Sequence, residues 1–413
     1  MIARPTRCTR STRSTFALAL LFQLNLAHAD DGKGLRRGAD PGEVSISGVS
    51  AGAAMALQYA VAHSASITGV GAIAGPPWGC AEGRLAQSIN SCMCGRQAIA
   101  PKAVAARELA RRGGIDPLVA GKPRALKRAY VFQSAADHTV VKQAGMASID
   151  FLTDFIGAAP VVDFGDAATG SNAAQHGIVS PEGPDKCGIE RDTDIYIRQC
   201  GAEDNAGKLL LALHAPGKRY DARLRQAGIP ASEIWEFSQQ PMIDAVRSSR
   251  ALIAADRPIG PDFVSPRRAS LDMADKGYLY VPPACRQPGS HCGVHVALHG
   301  CRQDARQFAT LSGYNNWAGH YRIVVVYPAI KADPHPIRGS VCAMPVVQEI
   351  ANNALFEPNP NGCWDWWGYL DNGWPEQQRY VSRNAPQMQV IERIVAEVTA
   401  PLAGTGAPGS GQP

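Results

Sequence analysis

The twenty residues from Val44 to His63, VSISGVSAGAAMALQYAVAH, constrain the fold more than any other stretch of the chain. A short alternating run, a serine between two glycines and a nearly all-apolar segment follow one another without a break. Val44-Ser-Ile-Ser reads as a strand, and Ala53 to His63 as a helix with so few polar interior positions that it must be buried. Between them Gly48-Val49-Ser50-Ala51-Gly52 matches G-x-S-x-G, the sharp turn that stands a serine hydroxyl above the end of a sheet. The serine's backbone is strained there, and side chains at the flanking positions would collide with the adjoining strand and helix. So short a pattern also arises by chance; its weight comes from the strand before it and the buried helix after it.

A serine hydroxyl becomes a nucleophile only with a base and a group that orients the base. Lys127-Arg-Ala-Tyr-Val-Phe-Gln-Ser134 reads as a strand, and Ala135-Ala-Asp137 then puts a carboxylate at its C-terminal end, where α/β sheets carry functional groups. Asn172-Ala-Ala-Gln-His176 offers an imidazole in a polar loop of small residues. Taken singly, Asp137 reads equally as a solvated loop aspartate and His176 as a surface histidine. Their order decides: Ser50, Asp137, His176 is the sequence serine, acid, histidine of an α/β-hydrolase.

The N-terminus has the form of a signal peptide, with Arg4, Arg7, Arg10 and Arg13, an apolar run from Phe16 to Leu26, and Ala27-His28-Ala29 as a cleavage site. The apolar run is shorter than the roughly 20 residues that span a bilayer, so no stable membrane anchor is expected. Export makes the protein secreted, either extracellular or periplasmic, with a mature chain from Asp30. Residues 1–29 take away four arginines and no acid, lowering the formal net charge from +5 to +1 and leaving nothing that calls for nucleic acid. They also take Cys8, which leaves ten cysteines for an oxidising compartment. Metal binding would look to Cys92-Met-Cys94 or to His295 with His299. The latter spacing suits a helical ligand pair, but Val294-His-Val-Ala-Leu-His299 reads as a strand, so no metal or other cofactor is expected. Residues 403–413, rich in Gly, Pro and Ser, read as a disordered tail.

An α/β-hydrolase also takes an oxyanion-binding amide from a loop after an earlier strand, and little precedes Val44. The missing strands stand late in the chain: Gly277-Tyr-Leu-Tyr-Val-Pro, then Gly293-Val-His-Val-Ala-Leu-His-Gly-Cys301, then Tyr321-Arg-Ile-Val-Val-Val-Tyr-Pro328, the second ending in a His-Gly loop. A circularly permuted α/β-hydrolase explains the order, as one domain with insertions over residues 30–402. Its nucleophile half covers about residues 40–214, and its oxyanion-loop half about residues 270–402, joined through the segment near 215–275.

Together with the Ser50 elbow, the motifs Ser134-Ala-Ala-Asp137-His-Thr-Val, Gly277-Tyr-Leu-Tyr-Val-Pro-Pro, Leu298-His-Gly-Cys-Arg-Gln303, Gly313-Tyr-Asn-Asn-Trp-Ala and Asn359-Pro-Asn-Gly-Cys-Trp-Asp-Trp-Trp-Gly-Tyr369 are quite specific. They resemble those of the secreted poly(3-hydroxybutyrate) depolymerases with a circularly permuted catalytic domain, over nearly the whole mature chain. The resemblance implies a catalytic triad of Ser50, Asp137 and His176, and an oxyanion hole from the amides of Ala51 and Cys301. It implies a substrate crevice lined by the tryptophan motif, with Asn359, Trp364 and Trp366 as binding residues for a polyester polymer or oligomer; a monomer is expected. Other secreted serine esterases, acting on feruloyl or acetyl groups of polysaccharide, would share the triad and differ in the crevice. A non-catalytic protein coating polymer granules is a third reading, which an intact triad opposes. If the tryptophans line the crevice, Cys301 and Cys363 should lie close enough to bridge. Cys187 with Cys200 and Cys285 with Cys292 are the local pairs, while Cys80, Cys92, Cys94 and Cys342 stay unassigned. Two departures from the family are a longer stretch from Lys331 to Phe356 and the chain's end soon after a final helix, Gln387 to Val398, where many members carry a separate polymer-binding domain.

Overall fold

A computed structural model describes residues 35–96, 98–99, 102–191, 193–249, 271–331, 342, 359, 361–371 and 379–402. The expected signal peptide, the tail and most of the stretch from 331 to 356 lie outside the described residues.

The elbow region forms as its sequence requires. Strand β1 (Val44–Val49) runs directly into α1 (Ala51–Ala62), all twelve residues of which are buried. There follow β2 (Ile67–Ile73), α2 (Ala103–Arg111), β3 (Arg128–Phe132), α3 (Lys142–Ile156) and β4 (Val161–Asp163). Three short strands, β5 (Ile178–Val179), β6 (Asp185–Lys186) and β7 (Ile197–Gln199), precede α4 (Asn205–His214). The later part of the chain adds β8 (Ile234–Ser238), α5 (Gln240–Arg247), β9 (Lys276–Tyr280), β10 (Gly293–Leu298), α6 (Ala305–Leu311), α7 (Tyr314–Tyr321), β11 (Ile323–Tyr327) and α8 (Pro386–Thr399).

Eight strands make one sheet in the order β4-β3-β2-β1-β10-β11-β9-β8. From β4 to β11 every neighbouring pair is parallel, while β9 runs antiparallel to both β11 and β8. Central strands such as β10 (GVHVAL) and β11 (IVVVY) are buried throughout, as strands covered on both faces must be. One face packs Val44 and Ile46 of β1 against α1, α3, α5 and α8 through Phe151, Leu152, Val246, Ile391 and Ile394. The other packs Val49, Phe132 and Tyr327 against α4 and α7 through Leu209, Leu213 and Trp317. A separate three-stranded sheet, β5-β7-β6, follows the His176 loop.

Sequence alone treats the 215–275 segment as a connection. Its described part supplies an edge strand, β8, whose Ile234 and Phe237 are buried while Glu236 and Ser238 are exposed. The sheet places the C-terminal ends of β1, β2, β3 and β10 along a single edge, and there the candidate groups gather.

Candidate active site

Ser50 sits between β1 and α1 with φ 57° and ψ −121°, a conformation that costs about 1–3 kcal/mol for a residue with a side chain. Its N–H donates to Ile73 O at 2.9 Å and its carbonyl accepts from Ala54 N at 3.0 Å, so the strain is held from both sides. The two glycines are required by space. A Cβ on Gly48 would fall 2.3 Å from the Gly52 backbone, and one on Gly52 would fall 2.4 Å from the carbonyl oxygens of Leu298 and His299. The second contact is informative, because it shows the start of α1 closing directly on the end of β10.

Asp137 and His176, both buried, meet at the end of β3. His176 Nδ1 lies 2.8 Å from Asp137 Oδ2, while Asp137 Oδ1 accepts from the amides of Thr139 and Val140 at 2.9 Å each. Gln133 Nε2 donates to Val140 O at 2.8 Å and lies 3.4 Å from Asp137 Oδ2, bracing the acid's turn. With an acceptor carboxylate on Nδ1, that nitrogen carries the proton, and Nε2 keeps the lone pair a base requires.

The His-Gly loop connects this pair to the elbow. A Cβ on Gly300 would lie 3.2 Å from Ser50 Cβ, so the loop passes against the serine. Gly300 N–H donates to Gln303 Oε1 at 2.5 Å, and Gln303 Nε2 donates to Ile195 O at 2.8 Å. The next residue, Tyr196, meets His176 in a T-shaped ring contact with centroids 5.7 Å apart. Ser50, the loop and His176 thus belong to one neighbourhood. Of the two expected oxyanion donors, Ala51 N–H stands in the first turn of α1, where helical amides have no intrahelical acceptor. On the loop, Gly300 N is taken by Gln303 and Arg302 N by Asn361 O at 2.9 Å. Cys301, between them, carries the loop's candidate amide.

The tryptophan motif lies behind this loop. Asn359, Trp364 and Trp366 are all at least 95% buried. Asn359 accepts from Cys363 N at 2.8 Å and donates to Cys363 O at 2.9 Å, shaping the motif's own turn. Trp364 Nε1 donates to His299 O at 2.8 Å, and Gln58 Nε2 on α1 donates to Trp366 O at 2.9 Å. His299 completes the brace. Ile330 N can only donate, so His299 Nε2 accepts from it at 3.1 Å, and Nδ1 therefore carries the proton given to Gly300 O at 2.8 Å. Burial holds the His299 imidazole below its usual range, in keeping with this neutral form. Burial, aided by the charge of Asp371, pushes the Asp365 carboxyl well above the usual carboxylate range. The braces at His299, Gln303 and Gln133 had no sequence signal beyond their place in the motifs.

Disulfide bonds join Cys301 to Cys363, Cys187 to Cys200 and Cys285 to Cys292, and the remaining four pair as Cys80–Cys92 and Cys94–Cys342. The first ties the His-Gly loop to the tryptophan motif. Among the described residues no group of three or more His, Cys, Asp or Glu could hold a metal ion, and no helix is long and apolar enough to cross a membrane.

No family model matches the chain. Among curated proteins it is 30% identical over 378 residues to a poly(3-hydroxybutyrate) depolymerase of Delftia acidovorans, a match that spans 89% of this chain and 62% of that one. It is 26% identical over 342 residues to a polyhydroxybutyrate depolymerase of Talaromyces funiculosus, across 80% of this chain and 83% of the relative. Two solved structures share its fold, a PHB depolymerase from Penicillium funiculosum and a PHB depolymerase variant complexed with an R3HB trimer. Each gives a TM-score of 0.59 at 24% identity, over 88% of this chain and 98% of the other.

Proposed function

We propose that the chain, 30% identical to a poly(3-hydroxybutyrate) depolymerase of which it spans 62%, belongs to that family and is a secreted serine esterase cleaving poly(3-hydroxybutyrate) or related short-chain polyhydroxyalkanoates. The observation that carries the reading is the 2.8 Å contact between His176 and Asp137, on the sheet edge where Ser50 is held at φ 57°. A strained serine at the sheet edge that also carries an imidazole oriented by a carboxylate is what a nucleophile and its base require. The names of the relatives support the substrate.

In the proposed reaction His176 Nε2 takes the Ser50 proton as Oγ attacks the ester carbonyl, and the negative charge on the carbonyl oxygen falls to the amides of Ala51 and Cys301. Asp137 stabilises the imidazolium. As the tetrahedral adduct collapses, the ester C–O bond breaks and the imidazolium protonates the departing alkoxide, leaving acylated Ser50. Water then loses a proton to His176, attacks the acyl carbon and releases a 3-hydroxyacid or short oligomer, and the proton returns to Ser50. With Asn359, Trp364 and Trp366 turned inward, they support the crevice wall, and Trp364 does so by fixing His299 and through it the oxyanion loop.

We also propose that the chain order is a circular permutation. Its support is that β1, first along the chain, stands fifth in the sheet counted from β8, next to strands contributed by residues 276–327. The test of function is clearing of a turbid poly(3-hydroxybutyrate) suspension, run beside acetylated xylan and a feruloyl ester. Clearing of the polyester with little action on the other two is the expected result; activity on the polysaccharide esters alone would reassign the substrate and leave the triad standing.

A further inference from the structure

We propose that Arg198, paired with Asp194, is a positioning residue for the His176 imidazole, acting through the backbone of the loop that bears it. This rests on the reading of His176 as the base. Arg198 lies on β7 with 0% exposure, and its Nε–H donates to His176 O at 3.0 Å. Its Nη1 donates to Asp194 Oδ2 at 2.5 Å and to Ile189 O at 3.0 Å. The chain leaving His176 lies against the same short sheet, where Ile178 pairs with Ile197 and Val179 with Arg198. Gly177 fits only because it lacks a side chain, since a Cβ there would fall 2.3 Å from Tyr196 O. Tyr196 itself holds φ 60°, a strained value, and its ring meets the imidazole in a T-shaped contact. Arg198 therefore fixes the carbonyl of His176 while its neighbour two residues back meets the ring. The Cys187–Cys200 bond closes the segment that contains both.

A stabilising role alone explains this poorly. A buried ion pair is often no better for stability than well-packed apolar residues, because both charges must leave water. Arg198 Nη2 is moreover buried with no hydrogen-bond partner, which adds a desolvation cost. What an apolar residue could not supply is a directed donor to His176 O. A displacement of that carbonyl moves Nε2 relative to both Ser50 and the leaving oxygen, and a misplacement of about 1 Å is enough to lose about 100-fold in rate.

The test uses two esters of one acid, ethyl butyrate and p-nitrophenyl butyrate. The alkoxide of the first needs the histidine's proton to leave, whereas nitrophenolate does not. Two variants are compared with wild type: Arg198→Lys, which keeps a cation opposite Asp194 but has no guanidinium Nε, and Arg198→Met with Asp194→Asn, which strands no buried charge. In whichever variants fold by circular dichroism, kcat/KM, which reports acylation and not the butyryl-enzyme hydrolysis common to both esters, should fall about 100-fold for the ethyl ester and about tenfold or less for the p-nitrophenyl ester. Equal losses on the two esters, or none, would overturn the proposal, since a loss of folded protein lowers both together. Failure of the functional reading looks different: it is a wild type that ignores the polyester, or a fully active Ser50→Ala, and neither depends on the ratio between the two esters.

Discussion

Strand β1 carries two serine–histidine assemblies made from the same kinds of residue. At its tip, Ser50 neighbours the His176–Asp137 pair. A few residues earlier, Ser45 Oγ lies 2.8 Å from His214 Nε2 and 2.7 Å from His295 Nδ1, and Ser47 Oγ lies 2.8 Å from His295 Nε2 and 2.7 Å from Tyr314 OH. The difference is in what remains available. Both nitrogens of His295 are bonded to hydroxyls, and burial keeps its imidazole well below the usual range, so it is neutral and fully engaged. His176 has one nitrogen oriented by a carboxylate and the other left over, at a strand end rather than within the sheet. Residue type does not separate the proposed catalytic group from a structural one here; a lone pair left unused at the sheet's C-terminal edge does.

The sharpest way to break this contrast is Ser50→Ala. It should leave a folded protein with kcat for ester hydrolysis reduced by about 10⁴-fold or more, measured on p-nitrophenyl butyrate. Near-normal turnover would place the chemistry elsewhere. Next comes Cys301→Ser with Cys363→Ser, which alters no reacting group but frees the loop that passes Ser50. By chain entropy a bond closing 62 residues contributes about 4 kcal/mol, so urea unfolding should shift by that order and kcat should fall with it. A stability loss with unchanged kcat would show that the loop keeps its place without the bond.

Ser47→Ala probes the other assembly. It leaves His295 Nε2 and Tyr314 OH without the hydroxyl between them, at a cost of about 3 kcal/mol for two buried polar groups. Because those groups do not reach the strand tip, kcat/KM should stay within about threefold of wild type. A loss approaching that of Ser50→Ala would mean that the two assemblies are coupled and the contrast is false.

The two assemblies also differ in how legible they were. The Ser50 elbow could be read because its rule is local: glycines at fixed offsets, a strand before and an apolar helix after. Asp137 and His176 followed from strand ends and chain order. His295 was visible only as a strand residue and, with His299, as a metal pair set aside, since its partners Ser45 and Ser47 lie some 250 positions away and no spacing rule links them. Arg198, Gln303 and His299 were hidden for the same reason, each acting on a backbone carbonyl or amide that has no sequence signature. The tryptophans of the Asn359–Tyr369 motif were legible as a cluster, but which way they face depends on packing, and Trp364 and Trp366 turn inward. β8 was overlooked because a five-residue edge strand beyond α4 alternates too briefly to stand out from a connection.

The smallest effect comes from pH, and it separates the assemblies without touching Ser50. Burial lowers His214 to about 3, against about 6.5 in an unfolded chain. Between these values the unfolded chain binds the extra proton, so stability rises with pH across that window. The contribution is complete above about pH 6.5 and is lost as pH falls toward 3, amounting to about 2 kcal/mol by pH 5. Denaturant unfolding at pH 7, 6 and 5 should therefore show wild type losing more stability than His214→Asn, by about 2 kcal/mol at the lowest pH. Parallel pH profiles for the two proteins would mean that His214 takes up its proton in the folded state over the same pH range as in the unfolded chain, and the assembly would then carry a charge at pH 5 rather than stay the neutral counterpart of the one at the strand's tip.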